Sequence, residues 1–247
     1  ADQYTLPGGH GAVSDRLSAT LRARQDVTMS PNSTVVSIEE TPGKPARVTW
    51  VDSLTREAKC VEARQVVVAS PKLIGKYMVN PLSDAKRQAM ASIRYTPFLV
   101  AQVFLDEPVM ETFEIGAPDR FTKFMVRPDW ISGNRSPEGR SHLTAYIPFL
   151  GPDGRRNLLE QPPVVWAKSV RDDLEDVLGR GFRHVTGMHL HRWGHPMMIP
   201  VPGQDASIRE ASAASESVVW AHSDSYGICG LYSAVWTGMD AWSEVAM

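Results

Sequence analysis

Cysteine is scarce in this sequence, which contains only Cys60 and Cys229. Two distant cysteines exclude a disulfide framework, and their spacing is not that of a zinc knuckle. Long apolar runs are also lacking, because none approaches the roughly 20 residues that a membrane-spanning helix needs. Neither sign of charge is in excess, since 26 basic residues accompany 28 acidic ones for a net charge of -2. We therefore predict neither a nucleic-acid partner nor a membrane span.

Several motifs of nucleotide-binding and ester-cleaving proteins are missing as well. No G-x-G-x-x-G fingerprint occurs, and no Gly-Lys-Ser/Thr follows the glycine-rich turn at Gly8–Gly11. The nucleophile elbow G-x-S-x-G of serine hydrolases is absent. The adjacent residues His222, Ser223 and Asp224 would alternate between the two faces of a strand, so they do not form a catalytic triad. The sequence opens on Ala1 with neither an initiator methionine nor a signal peptide, so we expect it to be part of a longer protein. The cellular compartment is not readable from it.

What the sequence does contain is the composition of a globular protein. Hydrophobic residues make up 43% and charged residues 22% of 247 residues, which fits one large domain or two modest ones. Gln65–Ser70 is an apolar run with almost no alternation, typical of a strand covered on both faces in a parallel α/β sheet. Near the C-terminus, Val218–Ala221 predicts another buried strand and Leu231–Val245 a helix.

The middle of the chain has a different pattern. Runs typical of β-strands cover Tyr95–Asp106, Phe121–Val126 and His142–Phe149, and a helix is predicted over Pro163–Leu178. Strands and helices are mixed here without the regular alternation of a parallel sheet. The sequence therefore predicts an α/β domain formed by the two ends of the chain and interrupted by an α+β insertion.

Histidines are concentrated in a predicted strand over His184–Trp193, which a predicted loop over Pro196–Gly203 follows. His189 and His191 share one face of this strand, so that together with His195 they could ligate zinc. No aspartate, glutamate or cysteine stands at a metal-binding spacing from them. A polar strand face near a cleft is therefore the favoured interpretation, and no metal site is predicted.

A more specific pattern lies at the end of the last predicted strand. His222, Ser223 and Asp224 follow that strand directly, and Gly227 and Gly230 lead into the C-terminal helix. Open α/β sheets bind ligands at the carboxyl ends of their strands, where a helix N-terminus carries about half a positive charge. Such a place suits an electron-rich ring, such as a reduced flavin. An ordinary strand–turn–helix with a polar tip explains the same residues, and both interpretations stay open at this point.

In the order of its motifs, the chain resembles the flavin-containing amine oxidoreductases, which include monoamine, polyamine, L-amino-acid and protoporphyrinogen oxidases. The likeness runs from Leu6 to about Val245. It rests on Pro7-Gly8-Gly9 with the helix of Leu17 and Leu21, Val35–Ile38, Val66–Pro71, Ser83–Pro108, Arg192–His195 with Pro200–Gly203, and Ala221–Asp224 with Gly230–Gly238.

This resemblance implies a cofactor, an architecture and an activity. The cofactor is FAD, held by a partial Rossmann-like domain of the glutathione-reductase type over residues 1–83 and 204–247. A mixed-sheet substrate-binding domain over residues 84–203 would interrupt it. The implied reaction transfers a hydride from a C–N or C–C bond of a small organic substrate to the flavin.

The resemblance also implies which residues form the site. The backbone of Val35 would contact adenine, and Trp193 would shape the substrate side, with His195 as a candidate proton acceptor. The backbone N–H of Leu231 would face the pyrimidine end of the flavin, and Asp224 would accept a hydrogen bond from the ribityl chain or a water. Further cofactor-binding positions are Ala69, Ser70, Pro71, His222, Ser223 and Gly230.

Three departures from the family pattern qualify these expectations. The βαβ unit that cradles the pyrophosphate is absent, so we expect either a fragment or a partner polypeptide carrying G-x-G-x-x-G. Val100 occupies the position of the usual oxygen-activating lysine, which questions oxidase activity relative to a dehydrogenase or desaturase. Gly230 stands where a tyrosine of the aromatic cage is expected. A non-catalytic scaffold subunit is therefore the alternative function, and a histidine metalloenzyme is the third hypothesis.

Overall fold

The computed structural model describes residues 9–129, 139–179 and 181–246. Its helices are α1 Gly9–Arg22, α2 Lys72–Met78, α3 Asp84–Ser92, α4 Gly154–Glu160, α5 Pro163–Leu178, α6 Asp205–Ser212 and α7 Leu231–Val245. Its strands are β1 Ser33–Glu39, β2 Ala46–Asp52, β3 Ala58–Ala63, β4 Val66–Val68, β5 Val79–Asn80, β6 Tyr95–Leu105, β7 Glu114–Gly116, β8 Phe124–Val126, β9 Ser141–Pro148, β10 Val185–Met198 and β11 Val218–Trp220. Short 3₁₀ turns cover Gly181–His184 and Ser223–Tyr226.

The chain divides into two compact units. The first contains the described residues up to Thr28 and those of Thr96–Pro196, and the second contains Met29–Tyr95 and the described residues from Met197 onward. The divisions therefore fall near the start of β6 and near the end of β10. The domain boundaries predicted after residues 83 and 203 stay predictions.

The first unit contains a five-stranded sheet in the order β10-β6-β9-β8-β7. β6 pairs with β9, β9 with β8 and β8 with β7, each pair antiparallel. Every second residue of β6 from Leu99 to Leu105 is at most 1% exposed, as expected for a strand with one face on the core. Val170 and Leu174 of α5 belong to the same buried cluster. One face of the helix α5 and one face of the strand β6 therefore share a core.

The second unit contains two smaller sheets. Four strands in the order β3-β2-β1-β5 form a mostly antiparallel sheet, in which β1 and β5 are parallel. β4 and β11 form a separate parallel pair, with Val66, Val67 and Val68 opposite Val218, Val219 and Trp220. One face of this pair packs against Met90 of α3 and Ile208 of α6 in a second core cluster.

Several predictions of local structure need correction. The run Gln65–Ser70 was expected to be covered on both faces, but Val67 is 45% exposed and only Val66–Val68 are in a strand. β10 continues through Pro196 to Met198, so the predicted loop begins too early. Two helices, α4 and α6, were not predicted, because the segments are short and rich in small or charged residues that carry little periodic signal.

No helix in the described ranges has both the length and the apolar character to cross a membrane. The helix of Leu17 and Leu21 is present as α1, and these two side chains are 59% and 42% exposed.

Candidate functional site

The candidate site lies where β4 and β11 end. The two strands are parallel, and the N–H of Ala221 donates to the carbonyl of Val68 at 3.0 Å. The segments that follow them, Ala69–Pro71 and His222–Asp224, therefore start side by side at one edge of the sheet. The structure thus brings together six of the cofactor-binding positions predicted from the sequence, and the parallel strands are the reason.

A buried ion pair ties these two segments together. The ammonium of Lys72, the first residue of α2, lies 2.9 Å from Oδ1 of Asp224, and both side chains are 0% exposed. The backbone N–H of Lys72 donates to Oδ2 of the same carboxylate at 2.8 Å, and the Tyr95 hydroxyl donates to Oδ2 at 2.6 Å. Lys72 also donates to Oγ of Ser225 at 2.6 Å. A buried carboxylate is stable only when its oxygens are paired in this way.

His222 completes the surroundings of the carboxylate. Its Nδ1 lies 3.2 Å from the backbone nitrogen of Asp224 and 3.1 Å from Oδ1 of Asp224. An unprotonated Nδ1 accepts from the backbone N–H, whereas a protonated Nδ1 donates to the carboxylate. In either state, His222 holds the first turn after β11 in place.

The charges within this network are strongly interdependent. Burial alone would raise the pKa of Asp224, but hydrogen bonding to His222 and the charge of Lys72 outweigh it and hold that pKa well below its usual range. Burial and the nearby Asp224 charge raise the pKa of Tyr95, so its phenol stays protonated and able to donate. Burial lowers the pKa of Lys72, and the carboxylate opposes that shift.

These contacts give Asp224 a structural part that the sequence did not reveal. Its two oxygens accept hydrogen bonds from Lys72 and Tyr95 and contact the ring of His222, and the side chain has no exposed surface. In this arrangement Asp224 anchors the loop from inside, and its predicted contact with the ribityl chain stays a prediction. Lys72 was not predicted as a site residue. Its position directly after the buried run and Pro71 was a usable signal, because a lysine beside a buried strand needs a counter-ion.

The start of α7 forms the second part of the site. Gly230 precedes the helix without a side-chain capping bond, and Leu231 is 45% exposed. The first N–H groups of an α-helix have no partner within the helix, and they concentrate its partial positive charge. Cys229, just before Gly230, accepts the Met198 N–H at 2.8 Å, and burial raises the pKa of its thiol. This contact holds the residue before Gly230 against the end of β10.

An orphan polar atom lies at the end of β4. The hydroxyl oxygen of Ser70 is buried and has no hydrogen-bond partner among the described residues. Buried polar groups without a partner are rare in folded proteins and call for an explanation such as a bound ligand. A hydroxyl in this position can bond to a polar group of a ligand at the end of β4.

Val35 lies on β1 in the same unit and packs partly against the second core cluster. A β-bulge falls between Val35 and Ser37 in the pairing with β2. β5 pairs only with Ile38 and Glu39, so no described strand covers that side of β1 at Val35. The predicted backbone contact of Val35 with adenine stays a prediction.

Trp193 and His195 are in the first unit, on β10. Trp193 is 55% exposed, and strand alternation places both side chains on the same face. Burial lowers the pKa of His195, and the charge of Arg155 lowers it further. A lowered pKa favours the neutral ring, which can accept a proton near neutral pH. The predicted roles of both residues stay predictions.

The other histidines of β10 are engaged in ring contacts. His189 contacts Phe104 edge to face at 5.0 Å and lies 6.5 Å from His191, while His184 pairs with Asp106 at 3.0 Å. Within the described ranges, no group of three histidine, cysteine, aspartate or glutamate side chains is arranged to hold a metal ion. The histidine metalloenzyme hypothesis therefore has no support from the described residues.

Comparison with known proteins identifies the family. Residues 1–236 match the model of the family "Flavin containing amine oxidoreductase". Oxidoreductase PigB of Serratia sp. (strain ATCC 39006) is 24% identical over 274 residues, covering 98% of this chain but 38% of that protein. Cyclohexylamine oxidase from Brevibacterium oxydans IH-35A has a similar fold, with a TM-score of 0.72 and 17% identity over 96% of this chain and 52% of that one.

A putrescine oxidase structure with putrescine bound also has a similar fold, with a TM-score of 0.71 and 15% identity over 97% of this chain and 53% of that one. The chain thus spans about half the length, or less, of these relatives. Its α/β architecture with mixed sheets matches theirs. By the match over nearly its whole length, this chain belongs to the flavin-containing amine oxidoreductase family.

Proposed function

We propose that this chain supplies the C-terminal part of an FAD-dependent oxidoreductase of the amine-oxidase type. The reaction is hydride transfer from a C–N or C–C bond of a small organic substrate to the flavin. The observation that supports this most is the site at the ends of β4 and β11, where the buried Lys72–Asp224 pair fixes a loop leading to the uncapped start of α7. The family match supports the cofactor class.

In this proposal, the residues of the second unit hold and polarise the cofactor. The N–H of Leu231 would face the pyrimidine end of the ring, where the partial positive charge of α7 favours an electron-rich oxygen. Ser70 would gain the hydrogen-bond partner that it lacks among the described residues. Lys72 and Asp224 hold the two segments after β4 and β11 together.

The residues of the first unit act on the substrate. Trp193 offers an exposed indole face against which a small organic substrate can pack. His195 accepts a proton from the substrate, because its lowered pKa keeps the ring neutral at physiological pH. A bound flavin would supply the two-electron redox chemistry that no side chain can supply.

The remaining requirement is a cradle for the pyrophosphate. This sequence has no G-x-G-x-x-G, and the relatives have roughly as much chain again beyond the matched part. We therefore propose that a polypeptide segment carrying that fingerprint completes the cofactor site, either as part of the same protein or as a separate subunit.

Flavin retention tests this function. The chain is purified alone and together with the polypeptide encoded directly upstream of Ala1, and the visible absorbance of flavin that remains after gel filtration is measured. We expect little flavin on the chain alone and stoichiometric flavin on the pair. In the pair, Gly230→Pro should lower retention, because proline fixes φ near about -65° whereas Gly230 has φ 175° at the start of α7.

Gly238→Ala is the matched control for that variant, because it changes a glycine of the same helix that has no neighbour within 4 Å of an added Cβ. Equal flavin retention in both variants would contradict the proposed position of the ring.

The alternative is a scaffold subunit without redox activity, and one observation favours it. Asp224 is fully satisfied by protein groups, so the loop is stable without any cofactor. If the purified pair is colourless under all conditions but still forms a complex, the scaffold function replaces the catalytic one.

A further inference from the structure

The five-stranded sheet of the first unit has two faces of different character. One face packs against α5 in the buried cluster to which Leu99 and Val103 of β6 belong. Successive residues of a strand point to opposite faces, so the residues between them on β6 point away from that cluster. We call this second side of the sheet the open face. It carries aromatic and aliphatic side chains on four strands, namely Phe98, Val100 and Phe104 of β6, Phe124 of β8, Tyr146 of β9 and Trp193 of β10.

The strand register brings three of these side chains into one row. Val100 of β6 lies opposite Tyr146 of β9, and Tyr146 lies opposite Phe124 of β8. Side chains directly opposite each other in an antiparallel pair have their Cβ atoms about 4.5–5.5 Å apart, so the row is continuous. Tyr146 is 37% exposed and Phe124 is 49% exposed. An exposed apolar row of this kind marks a place where an apolar ligand can be buried.

The open face also contains the two residues that were predicted to act on the substrate. His189 of β10 meets the ring of Phe104 edge to face at 5.0 Å, so the odd-numbered residues of β10 point to the same side as Phe104. Strand alternation then places Trp193 and His195 on the open face. The aromatic row and the substrate side of the proposed function therefore belong to one surface.

This surface carries no fixed charge. No aspartate, glutamate, lysine or arginine occupies the positions of β6, β8, β9 and β10 that point to the open face. Burial raises the pKa of Tyr146, so its phenol is uncharged at physiological pH. The histidines on this side, such as His142 and His189, are neutral or cationic and provide no negative charge. A positively charged group on a ligand therefore finds no partner on these four strands.

A carboxylate does stand at the far edge of the sheet. Glu114 of β7 lies opposite Val126 of β8, and the strand order β10-β6-β9-β8-β7 puts four strand spacings between β7 and β10. At about 4.8 Å for each spacing, this separation is about 19 Å, which exceeds the length of a small organic substrate. A substrate that reacts beside Trp193 therefore does not reach Glu114.

We propose that the open face binds the apolar body of the substrate and rejects substrates that carry a second cationic group. This inference rests on the proposed function, which puts the substrate beside Trp193. It names the substrate class as a small organic molecule with an apolar chain or ring attached to the bond that is oxidised. An apolar body is stabilised when it leaves water and contacts Val100 and Tyr146. A second ammonium would lose its hydration there without gaining a carboxylate, which is unfavourable.

Binding of two matched amines tests this selectivity without flavin or turnover. Hexylamine and hexamethylenediamine share one carbon chain and differ by a single ammonium group. Their affinities for the full chain are measured at physiological ionic strength by titration with saturation-transfer-difference NMR. We expect hexylamine to bind at least about tenfold more tightly, because the second ammonium of the diamine finds no counter-charge. Equal affinities, or tighter binding of the diamine, would overturn the inference.

A carboxylate introduced into the row should reverse the preference. Tyr146→Glu supplies a negative charge at the centre of the open face, so hexamethylenediamine should then bind more tightly than hexylamine. Tyr146→Phe keeps the ring and should keep the preference of the wild type. Leu54→Glu is the matched control, because it places the same charge at an apolar position that is 76% exposed on the turn between β2 and β3, in the second unit. That variant should bind both amines as the wild type does.

Circular dichroism establishes that each variant keeps its fold. If Tyr146→Glu disrupts it, Phe124→Glu takes its place, because Phe124 is the next residue of the row and the more exposed one. A folded glutamate variant of the row that still prefers hexylamine contradicts the inference.

Flavin absorbance separates this inference from the proposed function. A chain that stays colourless even with the polypeptide encoded directly upstream of Ala1, but binds hexylamine selectively, supports the open face and rejects the flavin function. A flavin-containing protein that binds both amines equally rejects the open face and keeps the flavin function.

Discussion

Replacing Lys72 by methionine tests the idea that one buried ion pair holds the candidate site together. The substitution keeps most of the apolar stem of the side chain and removes the ammonium with its hydrogen bonds to Asp224 and Ser225. The carboxylate of Asp224, which is 0% exposed, keeps the Tyr95 hydroxyl, the Lys72 backbone N–H and the ring of His222 as neighbours. Removing one partner of a buried ion pair typically costs about 3–5 kcal/mol. Because these other contacts remain, we expect a loss near the lower end, about 3 kcal/mol.

The assay is urea denaturation followed by circular dichroism, with the free energy of unfolding obtained by linear extrapolation. Lys59→Met is the matched control, because Lys59 pairs with Asp52 at 3.4 Å but is 46% exposed. Exposed pairs contribute little to stability, so this variant should have nearly the midpoint of the wild type. The double variant Lys72→Met with Asp224→Asn should recover part of the loss, because the buried charge is then gone. Equal midpoints for Lys72→Met and Lys59→Met would refute the reasoning.

Three further predictions concern pH and packing. The pKa of Asp224 is lower in the folded protein than in the unfolded chain. The stability that its ionised carboxylate contributes is therefore complete above the unfolded pKa of about 3.9 and is lost as pH falls through the folded pKa. Acid titration followed by circular dichroism should show this loss, and Asp224→Asn should remove it. Gly75→Ala should lower the free energy of unfolding by about 1–3 kcal/mol through overpacking, because an added Cβ would lie 2.3 Å from the Trp220 ring. The Cβ of Gly238→Ala meets nothing within 4 Å, so that variant should stabilise α7. Thermal melts that rank the two variants the other way would contradict the packing. Burial lowers the pKa of His195, so its NMR titration should have a midpoint below the ordinary histidine value of about 6.5; a midpoint at or above that value would contradict the burial of the ring.

Local structure was readable from the sequence wherever a side-chain pattern repeats. The helices Pro163–Leu178 and Leu231–Val245 have in the structure the bounds that their periodicity predicts. The strand preceding His222 ends within one residue of its prediction. Such elements depend on contacts between residues a few positions apart, and these are written directly in the sequence.

The candidate site was only partly readable. The sequence pointed to Ser70, His222 and Asp224 as neighbours of a ligand, but it did not predict that Lys72 neutralises Asp224 from 152 positions away. It also did not predict that α7 turns its tryptophans away from its own core. The apolar composition of α7 indicated burial, and composition alone does not say against what.

By itself, the sequence determined the longer periodic helices, most strands, the family pattern and the absence of a dinucleotide fingerprint from these 247 residues. The tertiary structure decided that β4 and β11 lie side by side and in parallel, and therefore that their polar ends meet. It also decided which apolar side chains are buried and which are exposed. The physical reason is that strand pairing and buried ion pairs join residues far apart in the chain, and their free energy depends on burial that exists only once the chain has folded.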